Sequence, residues 1–197
     1  MTVNTATSRA AETSVPLLPA LAERWSPRSF DPAETIDERK LIAAIEAARW
    51  SPSAGNSQPW RFIVARRGSD AFTRITGTLT GTNSLWAGTA GALVVALHET
   101  TDARGQVRPW GEYDLGQAMA HFSVQAHVEG LHVHTMGGFD AAALTAAFDL
   151  PDELRPLTVT AVGTLAPAEH LADEVLIARE SAPRIRLPLE EIVLLDA

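Results

Sequence analysis

Ser51-Pro-Ser-Ala-Gly-Asn-Ser-Gln-Pro-Trp60 runs without a break into Arg61-Phe-Ile-Val-Ala65. Pro52 and Pro59 push Ser51 and Gln58 out of the α region, so the first half cannot continue a helix. The second half, Trp60 to Ala65, is apolar and partly β-branched, which predicts a strand. The stretch is therefore a stiff polar loop feeding the edge of a sheet. Asn56 and Gln58 each carry a donor and an acceptor on one planar amide, which suits the edge of a flat heterocycle. The same composition also suits an ordinary connection.

Upstream, Pro16 to Arg24 is expected to be a helix, with Leu17, Leu18, Leu21 and Trp25 on one stripe and Pro27 ending it. A second helix starts at the N-cap Asp37, carries Leu41, Ile42, Ile45 and Ala48, and stops at Pro52. Both end in the tetrapeptide Arg-Trp-Ser-Pro, at 24–27 and at 49–52; nothing else repeats. Downstream, a short helix spans 70–77, and a Gly/Thr-rich loop follows to Asn83-Ser-Leu-Trp86. Gly91 to Glu99 is a continuous apolar run bounded by glycine and charge, as in a strand buried on both faces. Residues 112–130 form the longest helix: Leu115, Met119, Phe122 and Ala126 make its stripe, with Ala118, Val124 and Val128 widening it. Leu131 to Thr135 is a strand, Met136-Gly-Gly-Phe139 a sharp turn, Asp140 the cap of a short helix to Asp149, and Leu157 to Leu165 a further strand. From Ser181 the chain is an Arg/Pro-rich arm with too little periodicity to pack alone. Helices gathered early around four strands that do not alternate with them predict an α+β fold.

The 197 residues, 46% of them apolar, fit one globular domain: a loose tail over 1–15, a single domain over 16–197, and the arm at 181–197. There is no cysteine, which excludes disulfides, thiolate metal sites and thiol catalysis and is compatible with a cytoplasmic location. The longest apolar run, Ala92 to Leu97, is far short of the roughly 18 residues of a membrane span. A formal charge of −8 argues against nucleic acid as a partner. Lys40 is the single lysine, so the positive charge is carried almost wholly by arginine. Arginine grips phosphate oxygens bidentately, and it is concentrated in Arg24-Trp-Ser-Pro-Arg28 and in Arg184-Ile-Arg186. Each pair taken singly is also compatible with a solvated surface. Gly137 and Gly138 fit either a left-handed turn or backbone left bare for a ligand. His132 and His134, two apart on a strand, share a side, but no third metal ligand is near. His121 and His127 sit six apart on the long helix and read as packing or surface residues. No paired carboxylates and no Ser-His-Asp pattern are present.

Five motifs occur in order: Arg24-x-Ser26-x-Arg28-x-Phe30; Pro52-Ser53-Ala54-x-Asn56-x-Gln58-Pro59-Trp60-x-Phe62; Asn83-x-x-Trp86; Met136-Gly137-Gly138-Phe139-Asp140; and Arg184-x-Arg186-x-Pro188-Leu189. Together, over residues 17–195, the chain resembles the nitroreductase family of FMN flavoproteins. The resemblance implies a homodimer with a central, mostly antiparallel sheet flanked by helices and two FMN molecules at the subunit interface. It implies that Arg24, Ser26, Arg28, Arg184 and Arg186, with Trp25 and Met136 alongside, hold the phosphate, ribityl chain and pyrimidine edge. Pro52, Ser53, Ala54 and Asn56 would come from the other subunit, and Asn83 and Gln58 would face the isoalloxazine. The Gly137–Gly138 turn would lie against the ring, and the C-terminal arm would wrap the partner.

The implied activity is a ping-pong transfer of hydride from NAD(P)H through flavin N5 to an electron-poor acceptor such as a nitroaromatic or a quinone. The flavin then carries the chemistry, and no catalytic side chain and no metal is called for. Divergent flavin chemistry on the same fold (enal or semialdehyde reduction, dehalogenation, heterocycle dehydrogenation) and a flavin-binding module without turnover are the alternatives. Two departures stand out: Gly137 occupies a place where some relatives have an acid, and no lysine follows Asn83. The segment from Glu99 to Glu112, with Trp110 in it, is where the family varies to choose substrates, and Trp110 is a candidate lid.

Overall fold

The computed structural model describes residues 9–195; residues 1–8 and 196–197, and the parts of the expected tail and arm that fall there, lie outside the described residues. Strands β1 (Trp60–Arg66), β2 (Ala92–Glu99), β3 (His132–Met136) and β4 (Leu154–Gly163) form one antiparallel sheet in the order β1-β2-β4-β3. The apolar run of β2 is explained by its place inside the sheet. Leu93, Val95 and Leu97 feed one core, while Ala92, Val94 and Ala96 feed the other. Neither face of that strand meets water, so the usual alternation with polar residues has no function there.

Helices α2 (Glu38–Arg49) and α4 (Gly111–Val128) cover one face, through Leu41, Ala44, Ala48, Leu115, Ala118 and Phe122. The other core gathers Phe30, Phe72, Ile75, Trp86, Leu144 and Leu176 from α3 (Asp70–Thr76), α5 (Ala141–Ala147), α6 (Glu174–Ser181) and the loops between. The caps are where the sequence puts them. Asp37 accepts from Arg39 N at 2.9 Å and Lys40 N at 3.3 Å, and Asp140 accepts from Ala143 N at 2.9 Å. This is the α+β class, with the sheet wholly antiparallel.

Several boundaries differ from expectation. Helix α1 is only Pro19–Glu23, has no buried residue, and leaves Leu17, Leu18 and Leu21 exposed. Val128 is exposed rather than part of the α4 stripe. Strand β4 starts at Leu154, not Leu157, and so runs through Pro156. The register shifts there, with Ala96 opposite Thr158 and Leu97 opposite Pro156, and this bulge accommodates a residue that has no N–H to pair. Between β4 and the arm lies helix α6. Asp173 caps it by accepting from Leu176 N at 2.9 Å. Beyond it the arm has one helical turn, α7 (Leu189–Ile192), and exposes Ile185, Leu187, Leu189 and Ile192. The N-terminal stretch is tied down from Arg9 onward: Ala11 N donates to Ala22 O at 2.7 Å.

Candidate functional site

At the end of α1, Arg24 turns extended (φ −61°, ψ 140°), and the backbone that follows loses helical partners for its N–H groups. Glu180 on α6 supplies the acceptor. Its two carboxylate oxygens accept from Arg28 N at 2.9 Å each, and one accepts from Ser29 N at 3.1 Å. With 4% of its surface exposed, Glu180 is one of the few buried acids of the chain. On the other side of the same segment, His134 Nδ1 lies 2.9 Å from Pro27 O. A carbonyl can only accept, so Nδ1 carries the proton. The His134 ring packs against Trp86 (4.7 Å between centroids), and Trp86 stacks on Phe30 (6.1 Å). Residues 27–30 are therefore held between α6, β3 and an aromatic column, which fixes where Arg28 and Ser26 begin.

The arginines converge on this segment. Arg184 Nη1 donates to Ala22 O at 2.6 Å and to Arg9 O at 2.8 Å, which pins the arm to the end of α1. Burial, followed by the neighbouring charges of Arg24, Arg186 and Arg9, lowers the Arg184 guanidinium from its ordinary pKa. Burial, and then Arg186, does the same to Arg24. Like charges are thus crowded together, with the Glu180 carboxylate 3.9 Å from Arg28 Nη1. Arg24 Nε is buried without a protein partner, and its Nη2 only just reaches Ser26 Oγ, at 3.5 Å. Trp25 lies beneath Arg9, whose guanidinium carbon is 3.8 Å from the ring centroid. A buried donor with no partner amid mutually repelling cations fits a dianionic phosphate.

The turn after β3 carries the other candidates from the sequence, Met136, Gly137 and Gly138, together with Asn83. Asn83 Nδ2 donates to Gly138 O at 3.1 Å, and Thr80 N donates to the same oxygen at 3.1 Å. A Cβ on Gly138 would sit 2.7 Å from Asn83 Nδ2, so a side chain there would displace the Asn83 amide from the Gly138 carbonyl. On Gly137 a Cβ would meet nothing within 4 Å. Neither residue has positive φ, so a left-handed turn is excluded as the reason for the pair. Gly137 thus borders open space. Met136 beside it is buried.

The amide loop stands apart. Asp114 on α4, 2% exposed, accepts from Ala54 N at 3.1 Å, and Gln58 N donates to Ser53 Oγ at 3.0 Å. Gly55, Asn56 and Gln58 all adopt positive φ (59°, 55° and 47°) around a single 3₁₀ turn, Ala54–Asn56. Pro52, Ala54, Asn56 and Gln58 are exposed. Among the described residues no hydrogen bond, ion pair or ring contact joins this loop to the arginines or to the glycine turn. Trp110, 60% exposed, lines a hollow of about 190 Å³ beside the loop with Ala54, Ser57, Arg108 and Asp114. His132 packs edge-on against His127 (5.8 Å) while His134 faces Trp86, so the two strand histidines have different neighbours. No group of three metal-ligating side chains occurs among the described residues.

The sequence marks the arginines, Asn83 and the glycines as candidates, but does not show the contacts made by Arg9, Glu180, Asp114 and His134. The one usable signal was the chain break at Pro27. It leaves backbone donors that some buried acceptor has to satisfy.

The nitroreductase family model matches residues 21–76 and 73–164, and the chain belongs to that family. A solved structure described as an oxidoreductase containing FMN superposes with a TM-score of 0.86 at 32% identity, covering 92% of each chain. An uncharacterized 15.4 kDa protein in the ask 5' region of Mycolicibacterium smegmatis is 36% identical over 140 residues, 67% of this chain and 92% of that protein. The major NAD(P)H-flavin oxidoreductase of Aliivibrio fischeri is 39% identical over 49 residues, which is 25% of this chain and 22% of that enzyme.

Proposed function

We propose that this protein is an FMN-dependent NAD(P)H oxidoreductase that acts as a homodimer on an electron-poor acceptor. The observation that carries the reading is the convergence of Arg24, Arg28, Arg184 and Arg186 on one segment, with a buried Arg24 Nε that no protein atom satisfies. Bound FMN would accept a hydride at N5 from NAD(P)H and pass it on in a second half-reaction. The chain's own residues bind and orient. Arg24, Arg28, Arg184 and Arg186, with Ser26, neutralise the phosphate and fix the ribityl chain, and Trp25 braces the segment. Gly137 leaves room for the ring, and Asn83 holds the Gly138 carbonyl so that the turn keeps its shape. Arginine charge would stabilise negative charge on a group held there, a placed-charge effect.

Pro52, Ser53, Ala54, Asn56 and Gln58 complete the site from a second copy. The exposure of this loop, its rigid backbone and its separation from the arginines of its own chain support that assignment. The bare α1 and the apolar residues of the arm supply the surface that such a partner would cover. The descriptions of the oxidoreductase containing FMN and of the NAD(P)H-flavin oxidoreductase support the cofactor and the hydride donor. Among the described residues no helix is long and apolar enough to cross a membrane.

The deciding measurement is the visible spectrum of the purified protein, with the released cofactor identified, followed by NADH and NADPH oxidation with menadione and a nitrofuran. A yellow dimer that oxidises either nucleotide supports the reading. A colourless protein that ignores added FMN would end it. Flavin binding without nucleotide oxidation would leave a binding module.

A further inference from the structure

Arg9 belongs to no motif, lies in a Thr/Ala-rich stretch, and has a role in the arginine cluster that the fold alone does not require. Its carbonyl and that of Ala22 together take both bonds of Arg184 Nη1, so the N-terminal strand of chain holds one of the site's arginines in place. Its own Nη2 donates to Ala182 O at 2.8 Å, which ties the start of the arm to the same point. Its guanidinium lies over Trp25, between the two arginines of the first motif in sequence. Its Nη1 is buried and has no protein partner. Burial lowers its pKa, Glu180 opposes that, and Arg28 adds to it, so Arg9 lies within electrostatic reach of both.

A guanidinium serving only to cover Trp25 would need none of this arrangement. A cation with an unmatched, desolvated donor next to other cations is stable when an anion arrives. We propose that Arg9 is a fifth arginine of the anion site, and that residues 9–11 form a strap that positions Arg184 and adds charge toward the phosphate of the bound flavin nucleotide. This rests on the FMN reading above and extends it to a segment outside every motif of the family resemblance. The strap has two separable parts. The backbone carbonyl of Arg9 orients Arg184, and the side chain supplies the charge.

The test uses flavin-free full-length protein titrated with FMN and, in parallel, with riboflavin, following the quenching of flavin fluorescence. Riboflavin has the same ring and ribityl chain but no phosphate. Arg9→Gln keeps a donor for Ala182 O and a planar group over Trp25 while removing the charge, so it separates charge from fold. It is expected to weaken FMN binding about tenfold and to leave riboflavin within about twofold. Arg9→Lys should recover part of the loss, and raising salt should erase much of the difference between wild type and Arg9→Gln. Removing residues 1–11, which also takes the carbonyl from Arg184, should weaken FMN more than Arg9→Gln does. Equal changes for the two flavins, or none in Arg9→Gln, would overturn the inference while leaving the FMN reading intact. Wild-type protein that binds riboflavin as tightly as FMN would overturn both.

Discussion

At the arginine end, guanidiniums from three distant stretches of chain, at residue 9, at 24–28 and at 184–186, are drawn together beside β3. In the loop of residues 51–58 the polar groups come from one short run, bond mainly to one another and to Asp114, and leave Asn56 and Gln58 exposed. The first region is costly to assemble, because like charges must be gathered and partly desolvated. It is held by contacts from α6, β3 and the N-terminal stretch. The second is costly only locally, in backbone conformation, and a single buried acid and two prolines keep its shape. The contrast teaches that, in the proposed dimer, the electrostatic cost of the site falls on one part and the conformational cost on the other.

The strongest way to break that contrast is to remove the clamp at the arginine end. Glu180→Ala would leave the N–H groups of Arg28 and Ser29 without an acceptor in a buried setting. The expected loss is about 3 kcal/mol of stability, from two unsatisfied donors. Denaturant unfolding of the flavin-free protein checks it. Glu180→Gln, which keeps one acceptor oxygen, should lie between. If Glu180→Ala is as stable as wild type, the carboxylate does not hold the segment.

A somewhat smaller effect sharpens the division between copies. Arg24→Ala with Arg186→Ala on one chain should weaken FMN binding about a hundredfold, and Asn56→Ala with Gln58→Ala on another should abolish most turnover. Refolded together, the two defective chains form mixed dimers in which one of the two sites is intact. About a quarter of the wild-type sites should then return, because about half of the dimers are mixed. No recovery would mean that the loop and the arginines of one chain serve the same site.

Much of this was legible before any coordinates. The strands β1 and β2 follow from apolar runs bounded by Pro, Gly and charge. The starts of α2 and α5 follow from Asp37 and Asp140, because a cap is a local interaction that the sequence carries whole. What stayed hidden is tertiary. Glu180 sits in an Arg-rich stretch and reads as a solvated charge. Only the unpaired N–H groups of residues 28 and 29, over 150 positions away, give it a reason to be buried. Arg9 has no periodicity around it at all. The start of β4 at Leu154 is hidden because proline is normally kept out of strand interiors, and the bulge opposite Leu97 that tolerates Pro156 is invisible in one dimension. The arginines themselves were readable as pairs, but their convergence was not, since spacing along the chain says nothing of which pairs meet.

A gentler change probes the conformational cost of the loop. Gln58 holds φ 47° without being glycine. A left-handed conformation costs a side-chain-bearing residue about 1 to 2 kcal/mol, and glycine's greater freedom in the unfolded chain takes back part of any gain. Gln58→Gly should therefore raise stability by about 0.5 to 1 kcal/mol in thermal unfolding while lowering turnover. A destabilised Gln58→Gly would show that the side chain, through its bond to Asn56 O, already offsets the strain.

The smallest effect distinguishes the two regions by pH, since the loop has no histidine and the arginine end depends on one. Burial pushes His134 down to about 4, partly offset by its bond to Pro27 O, with Arg28 adding to the depression and the Ser26 backbone opposing it. His132 is lowered to about 4 as well, by burial and then by His127. The unfolded chain, with imidazoles near 6.5, binds more protons than the folded chain between those values. Stability is therefore full above about pH 6.5 and is lost as pH falls toward 4. Because both rings remain partly exposed, the share from His134 between pH 7 and 5.5 should stay below about 1 kcal/mol. His134→Gln, which retains a donor for the Pro27 carbonyl, removes one titrating group from that window. The slope of unfolding free energy against pH from 6.5 to 4 should be shallower in the variant than in wild type. Parallel slopes would mean that the ring takes up its proton alike in the folded and unfolded chain, so that burial between Trp86 and Pro27 does not hold it neutral.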